Sequence, residues 1–189
     1  MYLFKLYNGR MIIPYKQTLS HSCLAVCVLM LLEKPFTVIE EQNLALSGSK
    51  RTHQFYVAGI PLEFTKKYNS QINVFVDNKY FAKVLGGIFS SEKRINVIQK
   101  KITIPLIKDL LTNGPLICHI DDHALGDYSH ASHFIVLERA TDKFVQIIDP
   151  WTGKRRKITL SKLDESISDL KNQIKMCPLL FSKAELNKV

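Results

Sequence analysis

Ten consecutive apolar residues, Cys23 to Leu32, constrain this sequence more than any other feature. The run is about half as long as a membrane span requires, and Lys34-Pro35 closes it. A helix that is apolar on every side must be buried on every side. The run therefore predicts a central helix over 23–33, with the rest of the fold packed around it.

The length allows one such core. The chain has 189 residues, of which 46% are hydrophobic, and no repeat or Pro/Gly/Ser-rich linker divides it. A chain of this size buries one substantial core but is short for two. We therefore predict a single domain over residues 1–189.

Periodicity and turn residues divide the remaining chain into a helical first half and a strand-rich second half. An N-terminal hairpin is predicted over residues 2–7 and 11–15. Helices are predicted at 37–47, 57–69, 78–86 and 104–113, with one strand at 72–76. Strands are then predicted at 116–120, 134–138, 144–148 and 174–181, with a helix at 160–171. Helices followed by an antiparallel sheet indicate an α+β fold with two lobes.

Charge and cysteine usage exclude several classes of protein. The net charge is +9, but the basic residues are scattered, without helix-turn-helix or zinc-finger spacing, so no specific nucleic-acid partner is expected. The four cysteines form no CxxC pair and are predicted to be free thiols in a reducing compartment, with no metal and no cofactor. No signal peptide and no membrane span are evident, so we expect a cytoplasmic protein; export as an effector without a signal peptide stays open.

Cys23 is the first candidate for chemistry. A polar stretch from Gln17 to Ser22 precedes it, and Ser20 or Ser22 is placed to cap the helix that follows. Cys23 is therefore expected at a helix N-terminus, where unpaired N–H groups and the helix dipole favour a thiolate. The alternative is a small buried hydrophobic residue, a role that Cys27 fits better.

A hairpin supplies the partners of such a thiolate. The strands 134–138 and 144–148 flank a turn, and a turn centred on Thr141 makes the numbers of cross-strand partners sum to 282. His133 then lies directly opposite Asp149, with Cβ atoms about 5 Å apart. A carboxylate in that position holds an imidazole in one tautomer.

Two runs of this sequence resemble a known family. The first is Gln17-Thr-Leu-Ser-His-Ser-Cys23-Leu-Ala-Val-Cys27, in which Gln precedes Cys by six residues. The second is His133-Phe-Ile-Val-Leu, followed by Val145-Gln-Ile-Ile-Asp149-Pro150-Trp-Thr-Gly153. Together they are similar to the bacteriocin-processing, double-glycine peptidases of the papain-like clan, and the similarity spans about residues 13–181.

The resemblance implies a papain-like α+β fold, with an N-terminal helical lobe whose Cys-bearing helix packs on a C-terminal antiparallel sheet. It also implies a nucleophile (Cys23), a base (His133), a residue that orients the base (Asp149) and an oxyanion donor (Gln17). The expected activity is that of a thiol hydrolase, a peptidase or amidase acting on a peptide or protein. The family usually has an acidic residue before the Cys and Gly after it, where this chain has Ser22 and Leu24, and it is commonly fused to a transporter.

Several alternatives stay open at this stage. The site also fits an acyltransferase or a transglutaminase-like enzyme of the same clan, or a catalytically inactive module that binds a peptide. Trp151 is expected to shield the His–Asp pair or to bind substrate. A possible metal cluster consists of His119, Asp121, Asp122 and His123, although a solvated loop beside the cleft is the preferred interpretation. His130 is a second candidate base.

Overall fold

The computed structural model describes residues 12–52, 55–126 and 129–184, and these residues form an α+β protein. Its helices are α1 Cys23–Met30, α2 Val38–Arg51, α3 Tyr56–Tyr68, α4 Lys79–Ile88, α5 Ile104–Leu111 and α6 Leu160–Asn172, with a 3₁₀ turn at His123–Leu125. Its strands are β1 Ile72–Val76, β2 Ile95–Gln99, β3 Leu116–Asp121, β4 Ser132–Ala140, β5 Phe144–Asp149, β6 Lys154–Thr159 and β7 Leu179–Lys183. The predicted N-terminal hairpin lies outside the described residues except for 12–15, which are not in a strand.

One seven-stranded sheet, in the order β2-β1-β7-β3-β4-β5-β6, joins the two halves of the chain. Only β1 and β2 are parallel, and every other neighbouring pair is antiparallel. The sheet is therefore mixed, and it differs from the expected antiparallel sheet confined to the C-terminal half. The difference arises because β7, at the end of the described chain, inserts between β1 and β3.

The buried central helix is confirmed. All eight residues of α1 are buried, between β4 on one side and α2 and α3 on the other. The helix ends at Met30, three residues before the predicted end, and the chain turns away through Glu33, which has a φ of 55°.

Alternating side chains divide the core into two clusters, one on each face of the sheet. Phe134 and Val136 of β4 pack with α1, α2 and α3 on one face, whereas Ile135 and Leu137 pack with α5 and α6 on the other. This alternation is the reason that the strands read as apolar runs, because both faces are covered. Within the described ranges, no helix is long and apolar enough to cross a membrane.

Two strands escaped the sequence prediction because they lie at the sheet's edges. β6 begins with four basic residues, Lys154 to Lys157, and charged side chains are typical of an edge strand that must not pair with another chain. β2, at the opposite edge, has one fully buried residue of five. The five predicted helices beyond α1 are present, with ends that differ by at most four residues.

Candidate active site

Cys23 is the first residue of α1, and its side chain is buried except for a small exposed fraction of 8%. Ser22 occupies the N-cap, but its hydroxyl makes no capping bond to the helix. It donates instead to Glu41 at 2.5 Å, and its oxygen lies 2.9 Å from the Leu19 carbonyl oxygen. The first-turn N–H groups of α1 are thus left without a side-chain cap, and unpaired N–H groups at a helix start bind negative charge.

The β4–β5 hairpin brings His133 and Asp149 together through a register that differs from the predicted one. Beside the turn, Ala140 pairs with Val145, and the residue numbers of the two partners sum to 285. Farther from the turn, beginning with Leu137 and Ile147, the numbers of the partners sum to 284. The ladder shifts between Leu137 and Arg139, which leaves Glu138 as the extra residue of a β-bulge. The predicted sum of 282 is therefore wrong.

The bulge decides on which face Asp149 lies. Continued from Val136–Ile148, the register places Asp149 opposite Ile135, on the same face as His133 and diagonal to it. Without the bulge, Asp149 would lie opposite Val136, and strand alternation would direct it to the other face. Glu138 is itself fixed, because Arg155 donates to it at 2.6 and 2.8 Å and Gln146 at 2.9 Å.

The imidazole of His133 is bound to Asp149 with 2.9 Å between Nε2 and Oδ1, and both side chains are buried. Asp149 also accepts hydrogen bonds from the Trp151 N–H at 2.9 Å and from the Thr152 hydroxyl at 3.2 Å. Burial raises the pKa of Asp149, but the hydrogen bond and the positive charge of His133 outweigh it, so the pKa lies below its ordinary value. Asp149 is therefore ionised at neutral pH and fixes the ring from one side.

Cys23 lies at the other side of the same ring. Burial alone lowers the pKa of His133, but hydrogen bonds to Asp149 and Cys23, together with the charges of both groups, raise it to about 9. Since Nε2 is bound to Asp149, Nδ1 is the ring nitrogen left for the thiol. The three predicted residues thus form one row, with the imidazole between the thiol and the carboxylate.

Gln17 is buried beside the start of α1. Its side-chain amide donates to the Leu19 carbonyl at 2.7 Å, an acceptor that it shares with the Ser22 N–H at 3.3 Å. An amide nitrogen carries two hydrogens, so one N–H of Gln17 has no partner among the described residues. The side chain of Gln17 therefore lies in the loop that ends at Cys23, where the Leu19 carbonyl accepts from both Gln17 and Ser22.

The turn after Asp149 holds Gln17 in place. The backbone N–H of Gln17 donates to the Pro150 carbonyl at 2.7 Å. Gly153, which has a φ of +67°, approaches so closely that a Cβ there would lie 2.7 Å from the Cβ of Lys16 and 2.9 Å from its nitrogen. The Asp-Pro-x-x-Gly run thus has two roles. Asp149 orients the imidazole, and Gly153, which has no Cβ, lets the segment that carries Gln17 pack closely against the turn.

Glu41 on α2 is a site residue that the sequence prediction missed. Its carboxylate is fully buried and accepts the Thr18 N–H at 2.7 Å, the Thr18 hydroxyl at 3.0 Å and the Ser22 hydroxyl at 2.5 Å. It therefore holds both ends of the loop between Gln17 and Cys23. The available signal was helical spacing, because Glu41 falls on the buried stripe formed by Leu44, Ala45 and Gly48.

Tyr56, the first residue of α3, was also missed. Burial and the charge of Cys23 raise the pKa of its hydroxyl, while a hydrogen bond with Ser132 acts in the opposite direction. Ser132 is bonded in turn to Nε2 of His119 at 2.7 Å. The Tyr56 hydroxyl, bonded to half-buried Ser132, thus interacts electrostatically with Cys23, and no short-range pattern in the sequence indicates it.

The alternative catalytic residues have other partners. The Cys27 thiol is fully buried, contacts the Phe134 carbonyl at 3.4 Å, and has a pKa raised well above its ordinary value, mainly by burial. His130 is paired with Asp121, with 2.6 Å between Nδ1 and Oδ2, and not with Asp149. Cys27 is therefore a packed hydrophobic residue, and His130 belongs to a separate pair.

The possible metal cluster of the sequence analysis does not assemble as a set. Both ring nitrogens of His119 are engaged, with the Cys177 carbonyl at 3.2 Å and with Ser132, and burial lowers its pKa to about 4. A different group, Asp121, His130 and Asp169, brings three ligand atoms within 4.8 Å of one another and could hold a metal ion. Within it, Asp121 already accepts hydrogen bonds from the His130 ring and, at 3.2 Å, from the Ala131 N–H.

A cleft of about 520 Å³ opens between the Gln17 loop and the turn after Asp149. It is lined by Lys16, Gln17, Thr18, Leu19, Ser20, Trp151, Thr152 and Lys154. Trp151 is 44% exposed and lies on its wall; its expected role, to shield the His–Asp pair or to bind substrate, stays a prediction.

Comparison with known proteins gives no family: no protein-family model matches this chain, and no curated protein sequence does.

Proposed function

We propose that this protein is a thiol hydrolase of the papain-like type, a peptidase or amidase with Cys23 as nucleophile. The observation that carries the proposal is the buried row in which His133 interacts with Cys23 on one side and with Asp149, at 2.9 Å, on the other. A histidine held between a thiol and a carboxylate is the arrangement that activates a cysteine nucleophile.

The first half of the reaction is acylation. The Cys23 thiolate attacks the carbonyl carbon, and the electron pair of the C=O bond moves to oxygen. The Cys23 N–H and the free N–H of Gln17 stabilise this oxyanion, a contribution that in other enzymes is about 10²–10³-fold per donor. The imidazolium of His133 then donates its proton to the leaving nitrogen, the C–N bond breaks, and an acyl thioester remains on Cys23.

The second half regenerates the enzyme. His133, now neutral, accepts a proton from water, and the hydroxide formed attacks the thioester carbon through the same oxyanion site. The C–S bond breaks, the acid is released, and the thiolate–imidazolium pair is restored. Asp149 stays ionised throughout and keeps Nδ1 directed at the sulfur. If an amine replaces water in this step, the same residues perform acyl transfer.

A papain-like fold is part of the proposal. It is supported by a buried Cys-bearing helix that packs on a sheet whose adjacent strands carry the His and the Asp, and by the resemblance of the Gln17 and His133 runs to double-glycine peptidases. The mixed sheet is compatible with this proposal, because the strands that carry the site are the antiparallel ones. We expect a peptide or protein as the substrate.

Alkylation by iodoacetamide at pH 6 tests the proposal. Ordinary thiols, with a pKa of about 8.5, react slowly there, so Cys23 should be modified much faster than Cys177, the half-buried thiol that serves as an internal reference. Mass mapping identifies the alkylated residue. Cys23→Ala should abolish fast labelling and turnover, whereas Cys27→Ala should keep both. Equal rates at Cys23 and Cys177 would refute an activated nucleophile, and transfer to an added amine instead of water would identify an acyltransferase.

A further inference from the structure

The cleft beside Gln17 has an unusual set of charges. Two lysines line it, Lys16 and Lys154, and its described lining contains no aspartate or glutamate. Among the described residues, neither lysine forms an ion pair, in contrast to Lys108 and Lys171, which are paired with carboxylates at 2.8 Å. The cleft therefore offers two unneutralised positive charges to whatever enters it.

The two lysines are held near each other by the backbone. A Cβ on Gly153 would lie 2.7 Å from the Cβ of Lys16, and Lys154, the first residue of β6, follows Gly153 directly. The hydrogen bond from the Gln17 N–H to the Pro150 carbonyl joins the same two segments. The two lysines thus belong to two backbone segments that are packed against each other.

An aromatic surface lines the same cleft. Trp151 is 44% exposed in the wall of the cleft, where its indole can cover an apolar side chain or a peptide backbone. A cleft of about 520 Å³ is of the size that binds a few residues of an extended chain. Charge complementarity favours an acidic side chain in this cleft, because a positively charged side chain would be repelled by the two lysines.

The position of the cleft relative to the chemistry indicates which half of the substrate it binds. Its walls carry Gln17, the oxyanion donor, and the turn that follows Asp149, the partner of His133. Cys23, His133 and Asp149 do not line this cleft, but it adjoins the loop that leads to Cys23 and the turn behind His133, so we assign it to the leaving portion of the substrate, whose nitrogen His133 must reach. We propose, as an extension of the proposed function, that the enzyme selects peptides with an acidic side chain within the first three residues after the scissile bond.

Cleavage profiling with a proteome-derived peptide library tests the selection, because it gives the residues on both sides of every cut. The wild type should cut preferentially before segments rich in Asp and Glu, with kcat/KM about tenfold higher for Glu than for Lys in matched peptides. The Lys16→Glu/Lys154→Glu double variant should reverse the preference. Lys79→Glu/Lys83→Glu makes the same charge change on α4 and should leave it unaltered. An unchanged profile in the cleft variant, or an equal change in the control, would overturn the proposal.

Binding separates this proposal from the proposed activity. Trp151 is the only tryptophan of the chain, so its fluorescence reports occupancy of the cleft in the Cys23→Ala variant, without turnover. Two peptide pools of equal length and apolar content, one with Glu and one with Lys, are titrated at low salt. The Glu pool should shift the fluorescence at a concentration about tenfold lower, with a smaller difference at 0.5 M salt. Equal titrations would refute the cleft assignment even if peptides are cut, and selective binding without any cutting would refute only the hydrolase.

Discussion

Replacing Gly153 by Ala tests how the turn after Asp149 controls Gln17. The added Cβ would lie 2.7 Å from the Cβ of Lys16, where carbon atoms normally stay about 3.5–4.0 Å apart, so the segment must retreat by about 1 Å. Such a shift breaks the 2.7 Å bond between Gln17 and Pro150, which costs about 1 kcal/mol. The φ of +67° adds about 1–2 kcal/mol for a residue with a side chain. We expect the free energy of unfolding to fall by about 2–3 kcal/mol.

The catalytic effect of this substitution should be larger than its effect on binding. An amide donor displaced by 1 Å no longer meets the oxyanion, and the expected loss in kcat is about 10²-fold. The assay is hydrolysis of an activated ester, p-nitrophenyl acetate, whose acylation passes through the same oxyanion. Denaturant unfolding is measured in parallel, at a temperature where the variant is folded.

A double-mutant cycle decides whether Gly153 acts through Gln17. If it does, Gln17→Ala/Gly153→Ala should be no slower than Gln17→Ala alone, because the displaced donor is already absent. Gly126→Ala is the matched control, since Gly126 has a φ of +120° but open space around the added Cβ; it should lose stability and keep kcat. If the two rate effects multiply in the double variant, the assigned role of Gly153 is wrong.

Three further predictions concern residues that support the site. Glu41→Ala removes a buried acceptor of three hydrogen bonds and should lower the free energy of unfolding by about 2–4 kcal/mol, whereas Glu41→Gln should lose less; denaturant titration that finds Ala and wild type equal would contradict this. The raised pKa of His133, about 9 against 6.5, means that the folded state binds a proton more tightly than the unfolded state. Its contribution is therefore complete below pH 6.5 and is lost as the pH rises through 9, a decline of about 3 kcal/mol that His133→Ala should abolish in unfolding curves. Glu138→Ala frees the bulge from its bonds with Arg155 and Gln146 and should lower kcat more than it raises KM; wild-type kcat would show that the bulge is held by other contacts.

Much of this fold is readable from local sequence. The apolar run that begins at Cys23 specifies a helix buried on all sides, because neither face can meet water. The inner strands of the second half follow from β-branched and aromatic runs, and the helices from their periodicity. Helical periodicity also places Glu41 on the buried stripe of α2. Because such a stripe is normally apolar, an acidic residue on it was not recognised as part of the site.

The four predicted site residues are also a product of local pattern. Gln17 and Cys23 stand at fixed spacing across a loop-to-helix junction, and His133 and Asp149 stand on two strands joined by a short turn. Tyr56 could not be found in this way, because its closeness to Cys23 depends on how α3 packs against α1, which no short-range spacing records.

The sequence by itself determined the buried helix, the inner strands of the sheet and the residue types of the site; tertiary structure decided the pairing. The predicted register failed, and His133 and Asp149 share a face only because Glu138 bulges out of β4, held by Arg155 from β6. A strand alternates with period two, so one extra residue reverses every later side chain. The position of the bulge depends on contacts between strands that are distant along the chain. For that reason the local sequence does not determine the register, and the tertiary structure does.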